Sequence, residues 1–125
     1  MVSYRVLITG SRDWINADII QAALGYVIRE KNELGFPTTL VHGGARGADA
    51  LAEKLAKDIG WTIERHPAQW EQFGESAGYR RNAEMANLGA DICLAFIKNN
   101  SKGATMMVDL AEKKHIPTYV WREDG

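Results

Sequence analysis

The stretch Leu40-Val41-His42-Gly43-Gly44-Ala45-Arg46-Gly47-Ala48-Asp49 decides the fold, because an apolar run breaks into glycines and then resumes with helical spacing. Thr38 and Thr39 precede it, and β-branched residues followed by leucine and valine are typical of a buried strand. From Ala48 onward, apolar side chains recur at positions 48, 51, 52, 55, 56 and 59, and Gly60 follows. This is the spacing of one face of an amphipathic helix with a glycine stop. The stretch therefore predicts a strand that leads directly into a helix.

The turn between this strand and helix, residues 43–47, contains three glycines and Arg46. Glycine lets a ligand approach the backbone amides closely, and the start of a helix presents unpaired N–H groups and the positive end of the helix dipole. Phosphate is a common ligand of such turns. We therefore expect a phosphate-binding turn, although the sequence matches neither the P-loop nor the G-x-G-x-x-G pattern. A tight turn that needs glycine for its geometry alone is the alternative interpretation.

Length and composition predict one domain over residues 1–125. The chain has 125 residues, is 46% hydrophobic and carries a net charge of −1, which favours one compact core and argues against strong binding to duplex DNA. No apolar run approaches the roughly 20 residues needed to cross a bilayer, and Met1-Val2-Ser3-Tyr4-Arg5 leads straight into a predicted strand. We therefore expect a cytoplasmic protein without a membrane partner.

The chain has one cysteine, Cys93, so an internal disulfide and a cysteine-rich metal site are both excluded. Cys93 lies within the apolar run 92–96, which predicts a buried, unreactive thiol. We predict no metal site.

The rest of the chain alternates in the same way between strands and helices. Strands are predicted at residues 5–9, 61–66, 91–96 and 117–121. Helices are predicted after Asn16, over about 77–88, and after the small-residue turn 99–105. The third strand is polar and is expected at an edge of the sheet. Residues 67–78 show no clear period and form a candidate functional loop.

Strict alternation predicts an α/β fold, with a parallel sheet of about five strands and helices on both faces. In such sheets, ligands bind beyond the carboxyl ends of the strands, where the strand order switches. Three turns of small residues follow strands and so belong to that edge, at residues 10–12, 43–47 and 100–105. Because all three turns are expected at the same edge of the sheet, a phosphate-bearing ligand explains their small residues better than turn geometry alone.

Four motifs, spread over nearly the whole chain, together resemble the YspA-like branch of the SLOG superfamily. They are Gly10-Ser11-Arg12-Asp13-Trp14, His42-Gly43-Gly44-Ala45-Arg46-Gly47-Ala48-Asp49, Ala77-Gly78-Tyr79-Arg80-Arg81-Asn82-Ala83-Glu84-Met85 and Gly89-Ala90-Asp91. The resemblance implies a Rossmann-like domain that binds a nucleotide or a nucleotide derivative such as an ADP-ribose-like compound. It also implies a homodimer or a higher homo-oligomer. We expect no resident cofactor.

The LOG enzymes of this superfamily remove the base from a nucleoside 5'-monophosphate. Their Arg-Lys-x-x-x-Met helix is similar to residues 81–85, which implies that Arg81 contacts phosphate or the ribose side of the ligand. Their catalytic glutamate has no counterpart, since Met106 and Met107 occupy its positions. A phosphoribohydrolase would need a relocated carboxylate, for which Asp13 and Glu84 are candidates.

The DNA-processing protein A family offers another resemblance, through its Gly-Ser-Arg and Gly-x-Ala-Arg-Gly-x-Asp turns. Those proteins bind single-stranded DNA. A lone small domain with a net charge of −1 would bind DNA weakly and in a salt-sensitive way. Nucleic acid is therefore not the partner we expect.

The predicted site combines the three turns with the helix that carries Arg81. Arginines in turns suit phosphate because the guanidinium offers forked donors, although each can also be a solvated surface residue. Trp14 and Trp70 are candidates for stacking on a base, with packing beneath their own loops as the alternative. Arg81 and Glu84 are the catalytic candidates. The predicted ligand-binding residues are Gly10, Ser11, Arg12, His42, Gly43, Gly44, Ala45, Arg46, Gly47, Arg81, Asn82, Ser101, Lys102, Gly103, Ala104 and Thr105.

Overall fold

Strands and helices alternate along the chain in the computed structural model, which describes residues 3–124. The elements in order are β1 (Tyr4–Gly10), α1 (Ala17–Tyr26), β2 (Thr38–His42), α2 (Ala48–Asp58), β3 (Thr62–Arg65), α3 (Trp70–Phe73), α4 (Ala77–Leu88), β4 (Ile92–Lys98), α5 (Lys102–Lys113) and β5 (Thr118–Glu123). One π-helical turn, Val27–Lys31, continues α1, and a 3-10 turn, Gly74–Ser76, precedes α4.

The five strands form a single parallel sheet in the order β3-β2-β1-β4-β5. The central strands β1 and β4 are covered on both faces, which explains their nearly continuous apolar sequences. The polar strand β3 lies at one edge of the sheet, as predicted. The α/β architecture inferred from the alternating pattern is confirmed.

Helices cover both faces of the sheet, and alternate residues of β1 separate the two cores. Val6 and Ile8 pack with side chains of α1 and α2 on one face. Leu7 points to the opposite face and packs with Met85 of α4 and Met107 of α5. Helices α1 and α2 cover one face of the sheet, and α4 and α5 cover the other. The chain therefore leaves β1 toward one face and leaves β4 toward the opposite face. This divergence is the switch in strand order at which α/β sheets bind ligands.

Helix boundaries agree closely with the sequence signals. The side chain of Asn16 accepts a hydrogen bond from the amide of Ile19 and caps α1 as predicted. Helix α4 spans Ala77–Leu88 and ends before Gly89, also as predicted. The stretch 67–78, predicted as a loop, instead contains the four-residue helix α3 and the 3-10 turn before α4 begins.

Strand β4 extends beyond its predicted end at residue 96. Ile97 and Lys98 continue the pairing with Arg122 and Glu123 of β5, so hydrogen bonds to the neighbouring strand carry the extended conformation past the apolar run. Lys98 therefore lies at the carboxyl end of the sheet.

Two side chains that the sequence singled out lie in the interior. Cys93 is fully buried, and burial raises the pKa of its thiol to about 12, which fits the predicted unreactive cysteine. Trp14 is 1% exposed and packs against Phe96, while its indole N–H donates to the carbonyl of Asn16. Among residues 3–124, no helix is both long and apolar enough to cross a membrane.

Candidate functional site

A cleft of about 540 Å³ opens at the carboxyl edge of the sheet, above the ends of β1 and β4. Its walls come from the turns after β1, β2 and β4 and from helix α4, which are far apart in the sequence. The predicted residues that line it are Gly10, Ser11, Arg12, Gly43, Ala45, Arg46, Arg81, Asn82, Ser101, Gly103 and Ala104. The three turns therefore converge on one cavity at the switch in strand order.

A second cavity of about 410 Å³ adjoins the cleft and shares a wall with it. The shared wall contains Arg12, Arg46 and Arg81, together with the backbone of the glycine turn. Its far side is lined by Pro67, Ala68 and Trp70, so the segment predicted as a functional loop does border the site. Trp70 is 50% exposed. We call the two cavities the inner and the outer lobe.

The amides of the glycine turn do not all face the cleft, which differs from the sequence-based expectation. The Asp49 Oδ2 atom accepts hydrogen bonds from the amides of Gly43 and Ala45, both at 3.2 Å. The amide of Gly44 donates to Nδ1 of His42 at 2.9 Å. Three amides are thus committed to protein side chains, because Asp49 in the first turn of α2 folds back over the turn. The arginines, rather than these amides, supply the charge on this side of the cleft.

His42 supports the turn from beneath and does not line either lobe. Its side chain is 3% exposed, and its Nε2 lies 2.8 Å from Oε1 of Glu53. Because Nδ1 accepts a hydrogen bond from the Gly44 amide, the neutral ring carries its proton on Nε2, and this N–H donates a hydrogen bond to Glu53. Arg65 of β3 holds the Glu53 carboxylate in turn, at 2.5 and 2.7 Å, and these hydrogen bonds lower the pKa of Glu53. This chain of contacts fixes the tautomer of His42.

Ser11 joins the ends of the two central strands. Its hydroxyl oxygen accepts a hydrogen bond from the Lys98 amide at 2.7 Å and donates to the Lys98 carbonyl at 3.2 Å. Ser11 is 1% exposed. The hydroxyl predicted to contact phosphate therefore holds the base of the cleft together.

Gly47 marks the closest approach of two of the turns. A Cβ atom at this position would overlap the carbonyl oxygens of Ser11 and Arg12, and its φ of +78° also favours glycine. The adjacent Ala48 amide donates to the carbonyl of Ser11 at 3.2 Å. Gly47 is needed for geometry, which is the alternative interpretation considered for this turn.

Arg81 projects from α4 into the junction of the lobes. Its Nη1 donates to the carbonyl of Gly43 at 2.5 Å, and the space it occupies exists because residue 43 has no Cβ. Burial lowers the pKa of Arg81, the carboxylate of Asp49 opposes this shift, and the nearby positive charge of Arg12 adds to it. A half-buried guanidinium next to a second arginine is a strong site for an anion.

The carboxylates near the site differ in position and environment. Asp13 and Asp49 line the inner lobe, and burial raises the pKa of Asp49 despite its two amide hydrogen bonds. Glu84, a predicted catalytic candidate, has a side chain that is 62% exposed and faces His66 at 3.7 Å, outside both lobes. No group of three metal-binding side chains occurs among residues 3–124.

Other predicted residues also lie outside the inner lobe. Trp14 is in the core, and Gly44 borders only the outer lobe. Lys102 and Thr105 border a separate depression beside Arg122. The hydroxyl of Thr105 donates to the Ser101 carbonyl, because residues 102–105 already form the first turn of α5.

Several residues of the site were not predicted from the sequence. Lys98 and Asn99 line the inner lobe because β4 is longer than its apolar run. Glu53 was also not predicted. It stands four residues after Asp49 on α2, a spacing that places both carboxylates on one helix face. Helical spacing from Asp49 could have identified Glu53 as a partner for His42.

Comparison with known proteins identifies the family of the chain. The chain is 42% identical over 118 residues to the Gene 61 protein of Mycobacterium phage D29, which covers 90% of this chain and 92% of that protein. No solved structure matches the chain significantly. The sequence profile described as "YspA, cpYpsA-related SLOG family" matches residues 4–73, which include the first two turns of the site. The chain belongs to the YspA, cpYpsA-related SLOG family.

Proposed function

We propose that the chain binds a nucleotide or a nucleotide-derived small molecule in the two-lobed cleft, with its phosphate among Arg12, Arg46 and Arg81. One observation carries the proposal. Three arginines from three separate segments line the wall that the two lobes share, at the switch in strand order. Membership in the SLOG family is consistent with nucleotide-related binding.

The charge of the inner lobe supports an anionic ligand. Its lining includes four cationic side chains, Arg12, Arg46, Arg81 and Lys98, and two acidic ones, Asp13 and Asp49. Guanidinium groups form paired hydrogen bonds with phosphate oxygens, so converging arginines favour phosphate over a simple carboxylate of the same charge.

The outer lobe supports the assignment of a base. Trp70 is the large aromatic side chain on its lining and is half exposed, so its ring is available for stacking. A base on Trp70 and a phosphate among the three arginines would place the sugar at the shared wall, beside Gly43. This is the arrangement of a nucleotide across two adjoining pockets.

Calorimetric and thermal-shift titrations test the proposal with ribonucleoside monophosphates, diphosphates and ADP-ribose as probes. A ligand at a hundred times its Kd raises the free energy of unfolding by roughly 2.7 kcal/mol. Arg46→Ala should weaken binding at least about tenfold, since it removes a charged hydrogen bond. Arg29→Ala removes the same charge from an exposed position outside both lobes and should leave the affinity for the ligand unchanged. If no probe binds, the proposal fails.

Trp70→Ala tests the position of the base. Loss of stacking, worth about 1–3 kcal/mol per base, should weaken nucleotide binding roughly 5- to 150-fold and leave the affinity for inorganic pyrophosphate unchanged. Trp70→Phe keeps a ring and should retain most of the affinity. Equal loss for pyrophosphate and nucleotide would show that Trp70 supports the fold of the lobe and does not stack.

Hydrolysis of the N-glycosidic bond is the second candidate function, and Asp49 is the observation in its favour. Its carboxyl lines the inner lobe, and burial shifts its pKa upward, which is the direction that favours a proton donor to a leaving base. Chromatography of nucleoside monophosphates after incubation would detect the free base. If the protein releases the base and Asp49→Asn abolishes this release, the result would support hydrolysis. If no base is released, binding without hydrolysis would be the remaining function.

A fluorescent oligonucleotide titrated at low and moderate salt tests single-stranded DNA as the ligand.

A further inference from the structure

Two buried polar atoms in the described part of the chain have no hydrogen-bond partner, and both belong to the inner lobe. They are Oδ1 of Asp49 and Nε of Arg81, whose side chains both line that cavity. Native proteins satisfy the great majority of buried polar atoms, because an unpaired one destabilises the folded state, and more so when it is charged. Two such atoms in one binding cleft call for a common explanation.

The backbone of a single residue, Gly43, fixes the position of both side chains. Its amide donates to Oδ2 of Asp49 at 3.2 Å, and its carbonyl accepts from Nη1 of Arg81 at 2.5 Å. The amide of Ala45 adds a second contact to Asp49 Oδ2. The two side chains are therefore attached to the backbone of the same residue, and each charge influences the pKa of the other group, so they are near neighbours.

These two atoms make complementary demands on a ligand. Oδ1 of Asp49 accepts a hydrogen bond, and Nε of Arg81 donates one. A phosphate oxygen satisfies Arg81 but repels Asp49, whereas an amino group of a base satisfies Asp49 but offers nothing to Arg81. A hydroxyl group both donates and accepts, so it satisfies both atoms at once.

We propose that Asp49 and Arg81 together bind a ribose hydroxyl, so that the site selects ribonucleotides over their deoxy analogues. The inference rests on the proposed nucleotide binding and names the sugar that this site takes. The hydroxyl donates to Oδ1 of Asp49 and accepts from Nε of Arg81. Because both atoms are almost fully covered, the sugar reaches them only when the Arg81 side chain moves away from the turn.

The test compares the ribonucleoside monophosphate that binds most tightly with its 2'-deoxy and 3'-deoxy analogues, by calorimetry. At least one analogue should bind roughly ten- to a hundredfold more weakly, the range for a hydrogen bond to a charged group. Equal affinity for all three would overturn the inference and leave a buried water as the partner of the two atoms. Absence of binding by every nucleotide would overturn the proposed function and this inference with it.

Two variants locate the selectivity. Asp49→Asn keeps an oxygen for the amides of Gly43 and Ala45 but places an N–H₂ donor in the position of Oδ1, so the preference for ribose should disappear. Arg81→Lys keeps the positive charge and removes Nε, with the same expected effect, which provides a second test if the first variant fails to fold. Arg46→Ala should weaken the binding of all three nucleotides by the same factor, so that the ratios of their affinities stay unchanged. If the Asp49→Asn and Arg81→Lys proteins fold and still prefer ribonucleotides over the deoxy analogues as strongly as the unmodified protein, Asp49 and Arg81 do not bind the ribose hydroxyl.

Discussion

At the scale of single residues, Gly43 explains why the site is built as it is. Its N–H holds Asp49, its carbonyl holds Arg81, and the absence of a side chain makes room for the Arg81 guanidinium. The glycine expected to admit a ligand to the backbone thus admits an arginine instead, and the arginine borders both lobes. One small residue thereby positions a cation at the centre of the cleft.

Gly43→Ala should displace Arg81, because the added Cβ would overlap its guanidinium. We expect nucleotide affinity to fall about tenfold, as for the loss of one charged hydrogen bond, and no further loss when Gly43→Ala is added to Arg81→Ala. Calorimetry on the two single variants and the double variant measures this coupling.

Gly25→Ala is the matched control for that experiment. Gly25 lies in α1, and a Cβ there would meet only the flexible end of Arg29, so this variant should keep full affinity and unfold at a slightly higher temperature. Additive losses for Gly43→Ala and Arg81→Ala would mean that Gly43 acts on the ligand independently of Arg81.

At the scale of elements, the edge strand β3 depends on ion pairs as well as on backbone hydrogen bonds. Arg5 of β1 donates two hydrogen bonds to Glu64 at 2.8 and 2.9 Å across β2. Glu64 also contacts His66 at 2.7 Å. The neighbouring Arg65 pairs with Glu53 of α2. These contacts attach the outermost strand, and through Glu53 they extend to His42 beneath the glycine turn.

Stability should decline in acid, and Glu64 should account for part of the decline. The hydrogen bonds from Arg5, with a smaller contribution from His66, lower the pKa of Glu64 from 4.5 to about 2 on folding. The unfolded chain therefore takes up a proton first, so the contribution is complete above pH 4.5 and is lost as the pH falls from about 4.5 to 2. Urea denaturation across this range measures the free energy of unfolding.

Glu64→Gln should lower that free energy at neutral pH by roughly 1 kcal/mol, since the pair is partly exposed, and should make its decline in acid less steep. Some acid dependence should remain, because the pKa of Glu53 is also lowered. Glu33→Gln, at an exposed position, serves as the control. An unchanged slope in Glu64→Gln would show that this ion pair does not contribute to stability.

At the scale of the whole molecule, the strand order creates the site. The turns after β1, β2 and β4 meet because these strands are neighbours in the sheet with their carboxyl ends at one edge. The reversal of the crossovers between β1 and β4 opens the space between those turns. Ligand binding should therefore stabilise segments that are distant in the sequence.

Hydrogen exchange measured by mass spectrometry should show this pattern. With a nucleotide bound, amide exchange should slow around residues 10–13, 43–46 and 98–104 together, because all three segments line the inner lobe. Exchange should not change near Tyr79 and Leu88 on the outer surface of α4. Protection confined to that surface would place the ligand elsewhere and contradict the proposed site.

The sequence by itself determined the alternation of strands and helices, the parallel sheet and the edge at which the turns meet. These follow from local information, namely the period of apolar residues, the cap at Asn16 and the glycines that end helices. It also identified the family, because each of the motifs around Arg12 and Arg46 is contiguous in the chain and lies within residues 4–73, which match the family.

Only the tertiary structure decided what each group of the site contacts. Three amides of the glycine turn donate to Asp49 and His42. Trp14 is buried while Trp70 borders the outer lobe, and Glu84 lies outside the cleft. Period and motif locate a residue along an element, but the partner of a polar group depends on side chains that other elements bring within about 3 Å. Those distances are set by packing between segments far apart in the chain, which no local pattern records.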